Sequence, residues 1–205
     1  MTKNSQKKAT ESLAVQTKMV LPNDTNPLNT LFGGRLLEWM DEIASISAHK
    51  HCGRVVVTAS INNVSFDEPI FAGEIVSLHA KVSRAFNSSM EVFIDVFVEN
   101  SDGSRRKCNE AIYNFVAIDQ NRNPISVPTL IPETQIDKQR FDSALRRKQL
   151  SLVLAGKLKP EDAQTGPALR NDTKTINKHL EFLQESNYQE LYKLLTQSIQ
   201  NVEKL

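Results

Sequence analysis

The feature of the sequence that most limits its fold is a single segment with helical periodicity that lies between segments with the periodicity of β-strands. From about Arg35 to His51, apolar residues recur around most of the helix circumference, which indicates a helix buried on more than one side. Apolar and polar residues alternate with period two from Leu13 to Leu21 and again in four later segments. These segments predict strands at 55–66, 74–86, 89–100 and 105–119. An antiparallel sheet wrapped around one central helix buries such a helix on most sides, so an α+β fold of this kind is predicted.

The composition excludes several functional classes. Lys and Arg number 25 against 24 Asp and Glu, so a formal net charge of +1 provides no basic surface for nucleic acid or an anionic membrane. The apolar runs are too short to span a membrane, and the polar N-terminus lacks the apolar core of a signal peptide. Two cysteines make no disulfide framework, so a cytoplasmic location is expected. The sequence also contains no serine-hydrolase, Walker or dinucleotide-binding motif.

The pattern along the chain predicts four segments. Residues 1–10 are expected to be a flexible polar tail, and residues 11–130 form the sheet-and-helix domain. Residues 131–163 predict a helical segment that carries the basic run Arg146-Arg147-Lys148. Residues 164–205 predict an amphipathic C-terminal helical extension, whose apolar stripe indicates packing against a neighbouring subunit.

Asp41 is the first candidate for chemistry, because it lies inside the predicted buried helix. A carboxylate there is paired, hydrogen-bonded or functional, unless it shares an exposed face with Glu38 and Glu42. The second candidate is Gly33-Gly34, directly before the helix. The first N–H groups of a helix lack internal partners and can hold an oxyanion, although a plain turn is the commoner role of two glycines.

The run from His49 to Cys52 has the spacing of metal ligands but lies at the predicted helix end. Basic side chains are common at that position, and the sequence contains no second cluster of ligands. No metal site is therefore predicted. No other motif calls for a cofactor.

Seven ordered blocks carry a family resemblance. They are Leu21-Pro22 with Asp24-Thr25-Asn26, Phe32-Gly33-Gly34, Trp39-Met40-Asp41, Val57-Thr58-Ala59-Ser60, Phe66 with Gly73, Arg84 through Val92, and Phe115-Val116-Ala117. Over about residues 13–130 the chain resembles the acyl-CoA thioesterases of the hot-dog fold. The resemblance implies hydrolysis of acyl-CoA to free fatty acid and CoA, with CoA as part of the substrate and no separate cofactor. It also implies a site shared by two subunits of a homodimer, with dimers assembled into a hexamer.

The resemblance also implies roles for particular residues. Asp41 and Asn26 would be catalytic, and the backbone N–H groups of Gly33 and Gly34 would polarise the thioester oxygen. CoA would bind along Ala59, Ser60 and Ile61 and along the hairpin residues Ser88, Ser89 and Met90, with Arg147 near its phosphates. The family usually has glycine where this chain has Asn29. Asparagine tolerates a left-handed backbone better than most residues, so the loop is expected to keep its shape.

Helix geometry gives independent support for a shared site. At 1.5 Å per residue, Gly33 and Asp41 lie about 12 Å apart along one helix, so they do not meet at one thioester carbon. Two central helices lying antiparallel across a dimer would bring them together. The alternative is a non-catalytic acyl-CoA-binding regulator on the same fold, which needs neither Asn26 nor Asp41. A hot-dog dehydratase would need a histidine facing the substrate, whereas His49 and His51 lie at the far helix end.

Overall fold

The computed structural model of the chain describes residues 5–158 and, beyond them, the helical positions 173, 176, 177, 180, 193 and 196. The chain divides into one unit up to Ala144 and a second from Leu145. The strands are β1 (Gln6–Lys8), β2 (Ala14–Met19), β3 (Val55–Phe66), β4 (Ile75–Ala85), β5 (Ser89–Glu99), β6 (Arg105–Ile118) and β7 (Thr129–Ile131). The α-helices are α1 (Gly33–Cys52) and α2 (Gln135–Leu154), and short 3₁₀ helices occupy Ala9–Ser12 and Pro22–Asp24.

The core of the first unit lies between α1 and a five-stranded sheet. The strand order is β2-β4-β5-β6-β3, with every neighbouring pair antiparallel. Helix α1 packs against all five strands and buries most of its apolar residues, among them Met40, Ala44 and Ala48 at 0% exposure. The predicted antiparallel sheet around one central helix is thus confirmed.

The outer face of the sheet is covered by the first half of α2. Arg140 donates to both carboxylate oxygens of Asp95 on β5, at 3.0 and 2.8 Å, and lies 3.7 Å from the centre of the Phe93 ring. Lys81 on β4 pairs with the buried Asp137. These contacts are the reason that α2 up to Ala144 belongs to the first unit, whereas the sequence predicted a segment boundary after residue 130.

The prediction of a flexible tail over residues 1–10 is wrong for residues 6–10. Strand β1 pairs in parallel with β7, and Ala9 and Ser12 are fully buried. The Ser12 hydroxyl donates to the carbonyl of Ala9 at 2.7 Å and accepts the N–H of Val82 at 3.0 Å. This segment is held by partners distant in the sequence, which a local polar composition does not indicate.

Most of the predicted extension over 164–205 lies outside the described residues. Of its predicted apolar stripe, Ile176 is buried at 7% exposure and Leu180 is half-buried. Among the helices that the structure describes, none combines the length and apolar character needed to cross a bilayer.

Candidate active site

The loop before α1 is organised by the side chain of Asn26. Its Oδ1 accepts the backbone N–H groups of Leu28 at 2.9 Å and Thr30 at 3.3 Å. Its Nδ2 donates to the Thr30 hydroxyl at 2.9 Å, and its backbone N–H donates to the Thr30 carbonyl at 2.8 Å. Because an amide carries two N–H donors, one Nδ2 hydrogen remains for a ligand, whereas the oxygen is already used by the loop.

Asn29 closes the same loop in the left-handed backbone region, with φ of 57°. Its N–H donates to the Asn26 carbonyl at 2.9 Å, and its own carbonyl accepts the N–H of Ala72 at 3.3 Å. Asparagine is among the few non-glycine residues that adopt this conformation readily. Asn29 thus adopts the left-handed backbone that a glycine at this position would adopt easily.

The N-terminus of α1 presents free backbone donors. The backbone carbonyl of Phe32 accepts the N–H groups of Arg35 at 2.9 Å and Leu36 at 3.1 Å, and no side chain caps the helix. Among the described residues, the N–H groups of Gly33 and Gly34 have no hydrogen-bond partner. The first turn of α1 therefore offers two donors at the positive end of the helix dipole, the arrangement that stabilises an oxyanion.

A cavity of about 410 Å³ adjoins this turn. Asn26, Gly33 and Leu36 border it on one side, and the connection after β3 borders it on the other, where the Phe66 ring lies 3.4 Å from the position a Cβ on Gly33 would take. Asn109 on β6 also lines it. Gly34 instead lines a second, smaller cleft of about 290 Å³ next to Asp24 and Arg35.

Asp41 is half-buried on α1 and faces the edge strand β3. The Thr58 hydroxyl donates to Asp41 Oδ1 at 2.9 Å, while within the described chain Oδ2 has no partner. The buried Tyr113 donates to the Leu37 carbonyl at 3.1 Å; burial, with a smaller contribution from the Asp41 charge, raises the pKa of Tyr113 to about 12. Tyr113 therefore stays neutral, and Asp41 keeps one oxygen free to accept a proton.

Thr58 is a site residue that sequence reasoning did not single out. It stands inside the Val57–Ser60 motif, but a threonine in a strand carries no chemical signal by itself. The signal is its distance from Asp41 in the folded chain.

The three β3 residues expected to contact CoA lie on an open strand edge. Ala59, Ser60 and Ile61 are all exposed, and the β3–β6 register shifts between Thr58 and Ser60. The Ser60 hydroxyl accepts the Asn114 amide at 3.1 Å. This bulge re-aims the strand beside Thr58, as bulges near functional sites commonly do.

The hairpin between β4 and β5 supplies the other expected CoA contacts. Ser88 and Ser89 are half-buried, and their carbonyls accept the N–H groups of Ala117 at 2.9 Å and Phe86 at 2.8 Å. Met90 is fully buried in the core, because alternation along β5 turns it towards α1. The predicted contact between Met90 and CoA stays a prediction, and the burial of the side chain leaves it to the backbone.

Arg147 lies on α2 in the second unit and is half-buried. Its expected role at the CoA phosphates stays a prediction.

The histidines at the end of α1 are engaged in structural contacts. His49 Nδ1 lies 2.8 Å from the carbonyl of Arg54, and the fully buried His51 Nε2 lies 2.9 Å from that of Pro128. Burial, the main cause, lowers the pKa of His51 and keeps it neutral. Across the residues whose placement is described, no three His, Cys, Asp or Glu side chains come together as metal ligands.

Within one chain the structure does not bring all the expected catalytic residues together. Asn26 and Gly33 border the cavity, and the neighbouring Gly34 borders the smaller cleft. Asp41 lies beside Thr58 and borders neither.

Comparison with known proteins identifies the family. Residues 28–104 match the model of the thioesterase superfamily. An uncharacterized acyl-CoA thioester hydrolase of Bacillus subtilis is 44% identical over 138 residues, which cover 67% of this chain and 80% of the relative. The chain belongs to the acyl-CoA thioesterases of the hot-dog fold. Residues 133–199 match a second model, that of a domain of unknown function.

Solved thioesterase structures agree with this family. The Staphylococcus aureus acyl-CoA hydrolase in complex with butyryl coenzyme A, coenzyme A and coenzyme A disulfide is 33% identical, with a TM-score of 0.69 over 86% of this chain and 99% of that chain. A hexameric acyl-CoA thioesterase without ligand is 36% identical, with a TM-score of 0.71 over 74% of this chain and 97% of that chain. Acyl-coenzyme A thioesterase 11 of Mus musculus is 39% identical over 145 residues, and the chain spans 24% of its length.

Proposed function

We propose that this chain hydrolyses acyl-CoA thioesters to a free acid and CoA, and that each active site combines Asn26, Gly33 and Gly34 of one subunit with Asp41 and Thr58 of another. The observation that carries the proposal is the hydrogen bond from Thr58 to Asp41, which leaves one carboxylate oxygen free at an open strand edge. A protein that only bound acyl-CoA would need neither this carboxylate nor its orienting hydroxyl. The geometry therefore favours catalysis over a binding regulator.

The relatives support the choice of residues. Structures of the Staphylococcus aureus hydrolase include variants in which one aspartate, one asparagine or one threonine is replaced by alanine. Those three residues follow one another in the same order and at the same spacing as Asn26, Asp41 and Thr58 do here.

In the proposed reaction, the free N–H groups of Gly33 and Gly34 donate to the thioester oxygen and stabilise the negative charge that develops there. Asn26 orients the substrate or water through its remaining Nδ2 hydrogen, because its oxygen already holds the loop. Water adds to the thioester carbon while Asp41 accepts one of its protons. The carbon–sulfur bond then breaks, and the departing thiolate takes up that proton as free CoA.

A homodimer follows from the separation of the two groups of residues. The approximately 12 Å of helix between Gly33 and Asp41 is too long for one thioester carbon, so a partner chain supplies one group. Strand β3 is the surface we assign to this contact, because within the described chain it pairs only with β6. Its exposed apolar side chains before Thr58 fit an interface: Val55 and Val57 are 65% and 43% exposed. Hexameric relatives support assembly of three such dimers.

The proposed CoA path runs along the exposed Ala59–Ile61 edge and the Ser88-Ser89 hairpin. Arg147 is proposed to bind the phosphates, because a guanidinium fork matches phosphate oxygens.

Replacing Asp41 with asparagine tests the function directly. The variant is expected to remain a folded oligomer and to release CoA at least about a hundredfold more slowly, the loss expected for a general base. Glu42→Gln is the matched control, since it removes the adjacent exposed carboxylate, which pairs with Lys18 at 3.2 Å. Release of CoA is followed with a thiol reagent, and near-normal turnover in Asp41→Asn would contradict the mechanism.

A further inference from the structure

We propose that the cavity beside Asn26 and Gly33 is an acyl subsite that selects acyl chains bearing a hydroxyl group, and that Asn109 is the residue that recognises this hydroxyl. The inference rests on the proposed thioesterase function, because it takes Gly33 as the position of the reacting carbonyl. With CoA proposed along the β3 edge and the hairpin, the cavity that borders Gly33 is the space we assign to the acyl chain.

Asn109 carries a buried acceptor without a partner. Its side chain is 1% exposed, and Nδ2 donates to the carbonyl of Ser65 at 2.5 Å. A carbonyl only accepts, so the amide nitrogen must face Ser65 and the oxygen is the atom left over. Within the described part of the chain, Asn109 Oδ1 has no hydrogen-bond partner. An unpaired buried acceptor is unfavourable, so a ligand donor that reaches it is preferred over a plain alkyl group.

The position of Asn109 links this acceptor to the reaction centre. In the β3–β6 ladder, Asn109 lies opposite Phe66, whose ring lies against Gly33. The register of that ladder shifts between Asn62 and Ser65, just before the carbonyl that holds the Asn109 amide. Asn109 and the oxyanion-binding turn therefore border the same cavity.

The remaining polar groups of the cavity also favour a neutral donor. Asp67 and Glu68 line it, and both of their backbone N–H groups are taken by the carbonyl of Cys108, at 3.2 and 3.3 Å. Their side chains contribute negative charge, which Arg106 offsets at Glu68 through a 2.8 Å contact. An acyl chain ending in a carboxylate would be repelled, whereas a hydroxyl would find acceptors. The apolar residues Leu31, Leu36 and Ile70 complete the wall and accommodate the carbon chain.

The amide N–H groups of the pantetheine arm of CoA are the other donors that a substrate brings. They are present in every acyl-CoA, so a contact with them would affect all substrates alike. A contact with an acyl hydroxyl affects only the hydroxylated substrates.

The test compares kcat/KM for butyryl-CoA with those for 3-hydroxybutyryl-CoA and 4-hydroxybutyryl-CoA, followed by release of CoA. Wild type is expected to prefer one hydroxylated substrate by about two- to tenfold, the range for one neutral hydrogen bond. Asn109→Leu should remove this preference and still hydrolyse butyryl-CoA. Asn109→Gln, which keeps both an amide donor for Ser65 and an acceptor oxygen, should retain it. Asn100→Leu is the control, because its amide serves only the turn at Ser104.

Equal kcat/KM values for wild type on all three substrates would overturn the proposal. A uniform loss across the series in Asn109→Leu would place the pantetheine arm at Asn109 and overturn the acyl assignment. If Asn109→Leu is unfolded by circular dichroism, the wild-type ratio and the Asn109→Gln variant decide the question. Absence of CoA release from every substrate would contradict the thioesterase function instead.

Discussion

Replacing Thr58 with valine removes the hydroxyl that donates to Asp41 and keeps the shape of the side chain. A hydrogen bond to a charged group contributes about 1.5–3 kcal/mol. The lower end applies here, because Thr58 is exposed and Asp41 is half-buried. About 1.4 kcal/mol corresponds to a factor of ten in rate, so kcat is expected to fall about tenfold. KM should change little, since the bond orients the base and touches no part of CoA in the proposed site.

The assay is release of free CoA, followed with a thiol reagent over a range of acyl-CoA concentrations, which gives kcat and KM separately. Thr58→Ser is the matched control, because serine keeps the donating hydroxyl and is expected to retain most of the activity. An unchanged kcat in Thr58→Val would refute the reasoning. So would a serine variant as slow as the valine variant.

Two further predictions concern binding and stability. Replacing Arg146, Arg147 and Lys148 with alanine should raise KM for acyl-CoA and weaken the dependence of KM on salt. The value of kcat should stay nearly unchanged, because contacts with remote phosphates contribute equally to the ground state and the transition state. A collapse of kcat with unaltered KM would mean that these three residues are structural. Burial opposes ionisation of Asp137, but the hydrogen bonds it accepts, that from Lys81 first, outweigh burial and hold its pKa below the ordinary value. A lowered folded-state pKa stabilises the fold above the unfolded-state value of about 4, and this stabilisation is lost as pH falls through the folded-state value. Denaturant titrations should therefore give Asp137→Asn a lower free energy of unfolding than wild type at pH 7, and this free energy should fall less as the pH is lowered. Free energies of unfolding equal to those of wild type both at pH 7 and at acid pH would contradict this.

Local periodicity was enough to predict the sheet and its central helix. The four strands after α1 begin and end within one residue of the predicted bounds, because the alternation that defines a strand face is contained in a short window of sequence. The left-handed Asn29 was also predictable, since its residue type alone limits the backbone it adopts easily.

Contacts between distant segments were not predictable in this way. Strand β1 is three polar residues long and depends on β7 for its pairing. On β5, Glu91 and Phe93 alternate with the core residues, yet both are buried, and Arg140 of α2 lies over the Phe93 ring. No short stretch of the sequence around Glu91 and Phe93 contains the residues that bury these two side chains.

In the candidate site too, the sequence indicated some residues and only the folded chain shows the others. Asn26 and Asp41 stand in motifs, so the resemblance assigned them. Thr58 stands in a motif too, but the resemblance gave it no role, and Asn109 stands in none. Only the folded chain places Thr58 beside Asp41 and leaves Asn109 with a free acceptor.

Mixing two inactive variants tests the shared site most directly. Asn26→Ala and Asp41→Asn are purified separately, unfolded together in equal amounts and refolded, so that about half of the dimers are hybrids. Each hybrid contains one site with both residues intact, and the mixture is predicted to recover about a quarter of wild-type CoA release. The same procedure applied to each variant alone should recover none. If a demonstrated hybrid stays inactive, both residues act within one subunit and the shared site is wrong.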